Sequence, residues 1–167
     1  ADGQGARRSR RRTLSLRFSK KQGRHEILII GIGIDLCDIR RVEKTLQRFG
    51  RRFIERIYAE SEQSKAERRS RPAASYAQGF ASKEACAKAL GTGFRQGIFW
   101  RDMVVANHPT GQPYMVLSGG AQKRLQSLIP PGMEPRIDVS QTDEYPMAQA
   151  VVVISAVPHG VPQDDAS

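Results

Sequence analysis

The chain has 167 residues, with 27 Lys and Arg against 17 Asp and Glu, for a formal charge of +10. That length suffices for one domain with its own core and is short for two. The charge first suggests nucleic acid, but residues 1–26 carry nine basic and two acidic residues, which leaves only +3 for everything after them.

The two cysteines, Cys37 and Cys86, have neither metal-site spacing nor a framework of partners, which fits a reducing cytosol. No apolar run reaches the roughly 18 residues a membrane helix needs. The N-terminus lacks the apolar stretch of a secretory signal. It is rich in Arg and Ser and poor in acid, as transit peptides are, yet shows no amphipathic period. The expectation is a disordered basic extension over residues 1–26, one origin of which is a start set upstream of a true one near Ile27.

The folded domain is expected over residues 27–157. Ile27-Leu28-Ile29-Ile30-Gly31-Ile32-Gly33-Ile34 is an unbroken apolar run of strand length, ending at Asp35. A helix follows, because Val42, Leu46, Phe49, Phe53 and Ile57 recur as an apolar stripe. Arg41, Lys44, Arg48 and Arg52 form a basic stripe on another face, and Gly50 is placed to interrupt the helix. Ser61 to Arg71 is polar and ends before Pro72, so it reads as a helix end and a loop. A second helix is predicted over Ala73 to Leu90, stopped by Gly91-Thr92-Gly93.

Phe99 to Asn107 and Tyr114 to Leu117 read as strands joined by the turn-rich segment His108 to Pro113. A short helix near Ala121 to Leu128 is closed by Pro130-Pro131. Arg136 to Ser140 and Ala148 to Val157 read as strands, and residues 158–167 as a polar, frayed tail. The order predicts a single α+β domain with a largely antiparallel sheet packed against helices.

Gly31-x-Gly33 invites a dinucleotide-binding reading, but the third glycine that motif requires is replaced by Leu36. The glycines read instead as sites of close packing, or as room for a ligand beside Asp35. Asp35 alone would be an ordinary helix N-cap or turn acid. Glu84 and Lys88, four apart, would alone be an ordinary surface ion pair. Both bland readings weaken because small and apolar residues surround Glu84 and Lys88, and glycines follow at once.

Gly31-Ile32-Gly33-Ile34-Asp35 followed by Arg41-Val42 resembles the opening signature of the short bacterial holo-acyl-carrier-protein synthases, a family of 4'-phosphopantetheinyl transferases. Phe80-Ala81-Ser82-Lys83-Glu84-Ala85 with Lys88-Ala89-Leu90-Gly91-Thr92-Gly93 resembles their central signature. Phe99-Trp100-Arg101-Asp102, Gly111-Gln112-Pro113 and Val139-Ser140 match weaker stations, so the resemblance spans roughly residues 28–157 in order.

The resemblance implies transfer of the phosphopantetheine arm of coenzyme A to a serine of an acidic apo-acyl carrier protein, with release of 3',5'-ADP, in fatty acid biosynthesis. It implies Mg2+ held by Asp35 and Glu84, with Glu84 helping to deprotonate the serine and Lys88 neutralising or protonating the leaving phosphate oxygen. Magnesium suits such a pair, since it takes one or two carboxylates plus substrate phosphates and waters. Coenzyme A contacts are implied for Lys88, Gly91, Thr92, Gly111 and Pro113. Carrier-protein contacts are assigned to Arg41, Lys44, Arg48 and Arg52, a stripe that would otherwise be a solvated helix face. A cytoplasmic homotrimer with sites between neighbours is also implied, with no membrane and no nucleic acid as partner.

Two positions depart from the family. Asp143, in Ser140-Gln141-Thr142-Asp143, stands where a histidine is common, and Gly79 where an arginine is common. Arg71, Lys83 or Arg95 could stand in for the lost phosphate partners. Two readings of other classes remain: a family-like scaffold that binds carrier protein with weakened catalysis, and a basic nucleic-acid-binding protein.

Overall fold

The computed structural model describes residues 26–160. The expected basic extension and C-terminal tail lie almost wholly outside the described residues. The first strand, β1 (Leu28–Asp38), runs past the expected end at Asp35. It stays paired with the last strand, β5 (Met147–Pro158), with Asp35 opposite Ala150 and Asp38 opposite Met147. Asp38 then caps the next helix by accepting the Arg40 backbone N–H at 2.9 Å.

The apolar stripe from Val42 to Ile57 is divided into α1 (Ile39–Phe49) and α2 (Arg51–Ile57). Gly50 separates them with φ +51°, a left-handed conformation that glycine adopts without cost. The segment expected to be a helix end and a loop contains a separate helix, α3 (Glu60–Glu67). What it buries is Glu62, Gln63 and Ala66 rather than an apolar stripe, so no hydrophobic period announces it.

The central helix, α4 (Pro72–Ala89), lies close to its expected bounds and begins with proline at its first position. After it, Trp100–Asp102 form a short 3-10 turn in place of the first part of an expected strand, because Asp102 accepts the Phe99 backbone N–H at 3.0 Å. The remainder comprises β2 (Met103–Asn107), β3 (Pro113–Leu117), α5 (Gly119–Leu128) and β4 (Met133–Glu144). β4 is far longer than Arg136 to Ser140, since it pairs with β5 out to Glu144 opposite Met147.

The result is an α+β domain of two antiparallel sheets, β1-β5-β4 and β2-β3, with α4 across the larger one. Ala148, Ala150, Val152 and Ile154 of β5 are buried in alternation, and from Ile154 to Val157 the strand is buried without a break. They meet Ala77, Ala81, Ala85 and Ala89, the small face of α4. The two glycines of β1 have a packing reason. A Cβ at Gly31 would stand 2.1 Å from the Ala89 carbonyl oxygen, and one at Gly33 1.8 Å from that of Ala85. Only glycine lets this strand approach the helix so closely.

Candidate active site

Strand alternation puts Gly31, Gly33, Asp35 and Cys37 on the α4 side of β1. The close approach at the glycines therefore carries Asp35 to the helix, where the Lys88 ammonium donates to its Oδ1 at 2.7 Å and to the Ile34 carbonyl at 2.9 Å. Asp35 is only 17% exposed and Lys88 is half exposed, so a largely buried carboxylate is matched by a cation that still reaches solvent.

One turn earlier on α4, Glu84 joins Asp35 in a cleft of about 380 Å³ that also exposes Leu36, Cys37, Arg41, Val42, Phe53 and Phe80. Burial and the negative charge of Asp35 push the Glu84 carboxyl above the usual range, with Lys88 pulling it partly back. Two carboxylates side by side in one cleft are a donor set suited to a hard divalent cation. Among the described residues no group of three or more His, Cys, Asp or Glu converges. A cation held here would therefore draw its remaining ligands from substrate and water. Cys37 offers no nucleophile, since burial and Asp35 push its thiol up to about 11.

Arg41 lines this cleft, and Arg41, Lys44, Arg48 and Arg52 are all exposed along α1 and the start of α2. Among the described residues none of the four is bridged to a carboxylate. The stripe is thus contiguous with the two carboxylates and unspent.

Gly111 and Pro113 lie elsewhere, in a groove of about 400 Å³ between α3, the start of α4, the β2–β3 turn and β4. Its basic members are Lys65, Arg69 and Arg71. Burial, and after it the neighbouring Arg69, hold the Lys65 ammonium below its usual range, with Glu62 pulling it partly back. Lys65 hydrogen-bonds Asn107, whose amide donates to the Gly111 carbonyl at 2.6 Å, so α3 and the glycine turn are tied together. Sequence reasoning missed Lys65 and Arg69 because the polar segment that carries them read as a helix end and a loop; Lys65 sits on α3 and Arg69 just past its end.

Asp143 is on β4 in the wall of this groove, and its Oδ1 accepts from Gln78 Nε2 at 2.6 Å. Next to it Gln141 Nε2 donates to Ser82 Oγ at 2.6 Å. Of the three residues considered as stand-ins for lost phosphate partners, Arg71 lines the groove and Arg95 does not. Lys83 is excluded: it is 0% exposed, with its ammonium committed to interior acceptors. Gly79 sits against the ring of Tyr58, where an added Cβ would be 3.3 Å from the ring edge.

Gly91 and Gly93, with φ of +75° and +58°, close the end of α4, and the Gly93 N–H donates to the Ala87 carbonyl at 3.1 Å. Thr92 lies between them, its hydroxyl against the Gly93 carbonyl.

The 4'-phosphopantetheinyl transferase superfamily profile matches residues 31–150, from within β1 to the start of β5. A holo-[acyl-carrier-protein] synthase of Rhodopseudomonas palustris is 59% identical over 140 residues, covering 81% of this chain and 96% of the relative. The crystal structure of the synthase from Neisseria meningitidis superposes with a TM-score of 0.67 at 31% identity, covering 76% of this chain and 98% of that one. The Helicobacter pylori enzyme, solved in complex with coenzyme A, gives 0.63 at 31% identity, with coverages of 74% and 98%. Sequence signatures, fold and paired carboxylates agree: the chain belongs to the 4'-phosphopantetheinyl transferase superfamily, in its holo-[acyl-carrier-protein] synthase family.

Proposed function

We propose that the protein transfers 4'-phosphopantetheine from coenzyme A to a serine of apo-acyl carrier protein, giving the holo-carrier and 3',5'-ADP, in cytoplasmic fatty acid biosynthesis. The observation that carries this is the pairing of Asp35 and Glu84 in one cleft, at the foot of the unspent basic stripe on α1. The serine oxygen forms a bond to the phosphorus bearing pantetheine, and the bond to the leaving 3',5'-ADP oxygen breaks. Glu84, directly or through a water, takes the serine proton. Lys88 has three N–H groups, two of which are spent on Asp35 and Ile34, and turns the third to the leaving phosphate oxygen. Asp35 and Glu84 would hold Mg2+, which when bound neutralises charge gathering on the attacked phosphate.

The groove with Lys65, Arg69 and Arg71 suits the phosphates of the coenzyme's nucleotide end, bordered by Gly111 and Pro113. It shares no lining residue with the carboxylate cleft. At 3.6 residues per turn, Gln78 in the groove and Glu84 in the cleft point about 120° apart on α4. One coenzyme A spanning both is therefore served by two chains, groove from one and cleft from its neighbour. The outer face of β1 supports such an assembly: Ile29, Ile32, Ile34 and Leu36 are each more than half exposed, an apolar surface that a second copy would cover. A homotrimer closes this arrangement with three equal sites.

The test is to incubate the protein with coenzyme A, Mg2+ and apo-carrier protein and to weigh the carrier. A gain of one phosphopantetheine supports the enzyme. An unchanged carrier that nonetheless binds the protein means a docking scaffold instead. Light scattering that gives a monomer during turnover would remove the shared site.

A further inference from the structure

Lys83 stands inside the central signature, directly before Glu84, yet it touches neither cavity. Its side chain is 0% exposed and passes to the far side of α4. There its ammonium donates to Glu62 Oε2 at 2.8 Å, to the Ile57 carbonyl at 2.9 Å and to the Met103 carbonyl at 2.6 Å, with the Trp100 carbonyl at 3.2 Å. Glu62, itself 7% exposed, is equally filled: Oε2 also accepts the Ala59 N–H at 2.8 Å, and Oε1 accepts the Val105 N–H at 3.1 Å. One ion pair thus joins the end of α2, the start of α3, β2 and the middle of α4.

The elements it joins are those that carry the groove and the cleft. Lys65 follows Glu62 on α3 and Arg69 lies just past the end of that helix, and β2 ends at Asn107, the partner of Lys65. On α4, Gln78 faces the groove and Glu84 the cleft. Phe80, a wall of the cleft, stacks on Trp100 with ring centroids 4.7 Å apart. Holding two charges in a core is no route to stability, because apolar residues of similar size commonly stabilise as well or better. What such a pair supplies is a directional register that packing alone does not fix.

We propose that Lys83 and Glu62 are positioning residues for the transfer reaction, fixing α3 against α4 so that the basic groove keeps its shape beside the helix that carries Glu84. This rests on the activity proposed above, and neither side chain contacts substrate.

The test replaces both charges at once, Lys83→Met with Glu62→Leu, to leave no unpaired buried ion. Displacing a binding group by about 1 Å can cost up to about a hundredfold. The expected result is a rise of about tenfold in the KM for coenzyme A, with the KM for carrier protein unchanged and the melting temperature preserved. A purely structural pair would change the melting temperature or the active fraction and leave both KM values alone. Glu62→Gln, which keeps the shape and drops the charge, serves if the double variant does not fold, and the same rise in KM is expected. Unchanged KM values in a folded variant overturn the proposal. Failure of the wild-type protein to label carrier would instead overturn the activity on which it rests.

Discussion

The two sides of α4 answer differently to the same chemistry. On the cleft side the residues are those the family signatures call for: Asp35, Glu84 and Lys88 within reach of one another, and Arg41 at the mouth. On the groove side the chain departs at Gly79 and Asp143, and local pairs, Gln78 with Asp143 and Ser82 with Gln141, tie the helix to β4 instead. Under the proposed function, bond making at phosphorus would fix which groups stand at the cleft, because charge would develop there in the transition state. Holding a nucleotide's phosphates can be shared among several cations, so a groove with that role would tolerate exchange of one partner for another.

If that contrast is right, the largest losses lie on the cleft side. Asp35→Asn and Glu84→Gln should each lower kcat by about a hundredfold or more while the protein remains folded by circular dichroism. Each should also weaken Mg2+-dependent coenzyme A binding in calorimetry. Near-normal turnover in either would remove that residue from the reaction and with it the asymmetry between the two sides.

Next in size is the mouth of the cleft. Arg41→Glu places a like charge against an acidic partner, so the KM for carrier protein should rise by about tenfold with the KM for coenzyme A nearly intact. Wild-type turnover at sub-saturating carrier should fall with added salt as docking is screened. Indifference to both would make Arg41, Lys44, Arg48 and Arg52 a solvated face.

The cleft was the more legible side in the sequence, and for a physical reason. Its residues lie on β1 and α4, elements announced by a long apolar run and by a run of small residues stopped by glycine. The groove was hidden because it is assembled from polar segments. α3 buries Glu62 and Gln63 through hydrogen bonds, so it carries no stripe to detect. Asp143 was read as part of a stretch before the last strand, whereas pairing with β5 makes it part of β4. Lys83, taken as a spare phosphate partner, is consumed in the core, a fate that spacing alone does not reveal.

A smaller effect is expected at Asp143. Its bond to Gln78 makes it an acid that braces the groove wall rather than one left to repel phosphate. A net hydrogen bond is worth about 1 kcal/mol, so Asp143→Ala should raise the KM for coenzyme A roughly five-fold at most. Asp143→Asn retains an acceptor for Gln78 and should stay close to wild type. Tighter coenzyme A binding by both Asp143→Asn and Asp143→His would mean repulsion, and the groove would then be a damaged site, not an exchanged one.

The smallest effect concerns the junction that joins β1 to α1. Asp38 ends β1 and caps α1, accepting the Arg40 N–H and holding the Arg40 guanidinium at 2.7 Å. That hydrogen-bonded guanidinium holds the Asp38 carboxyl below the usual range. A lowered folded value means the ionised form is favoured in the fold. The stabilisation is therefore complete above the ordinary carboxylate pKa, declines as pH falls through it, and is gone below the lowered value. Asp38→Ala should accordingly reduce the melting temperature by a few degrees at neutral pH, with the gap to wild type closing in acid. Asp38→Asn, itself a good cap, should restore most of the difference without the same pH dependence. Because α1 lines the cleft through Arg41, Val42 and Thr45, loosening it should raise the KM for carrier protein modestly and leave that for coenzyme A unchanged. An equal rise in both would mean that the two sides of α4 do not bind their partners independently.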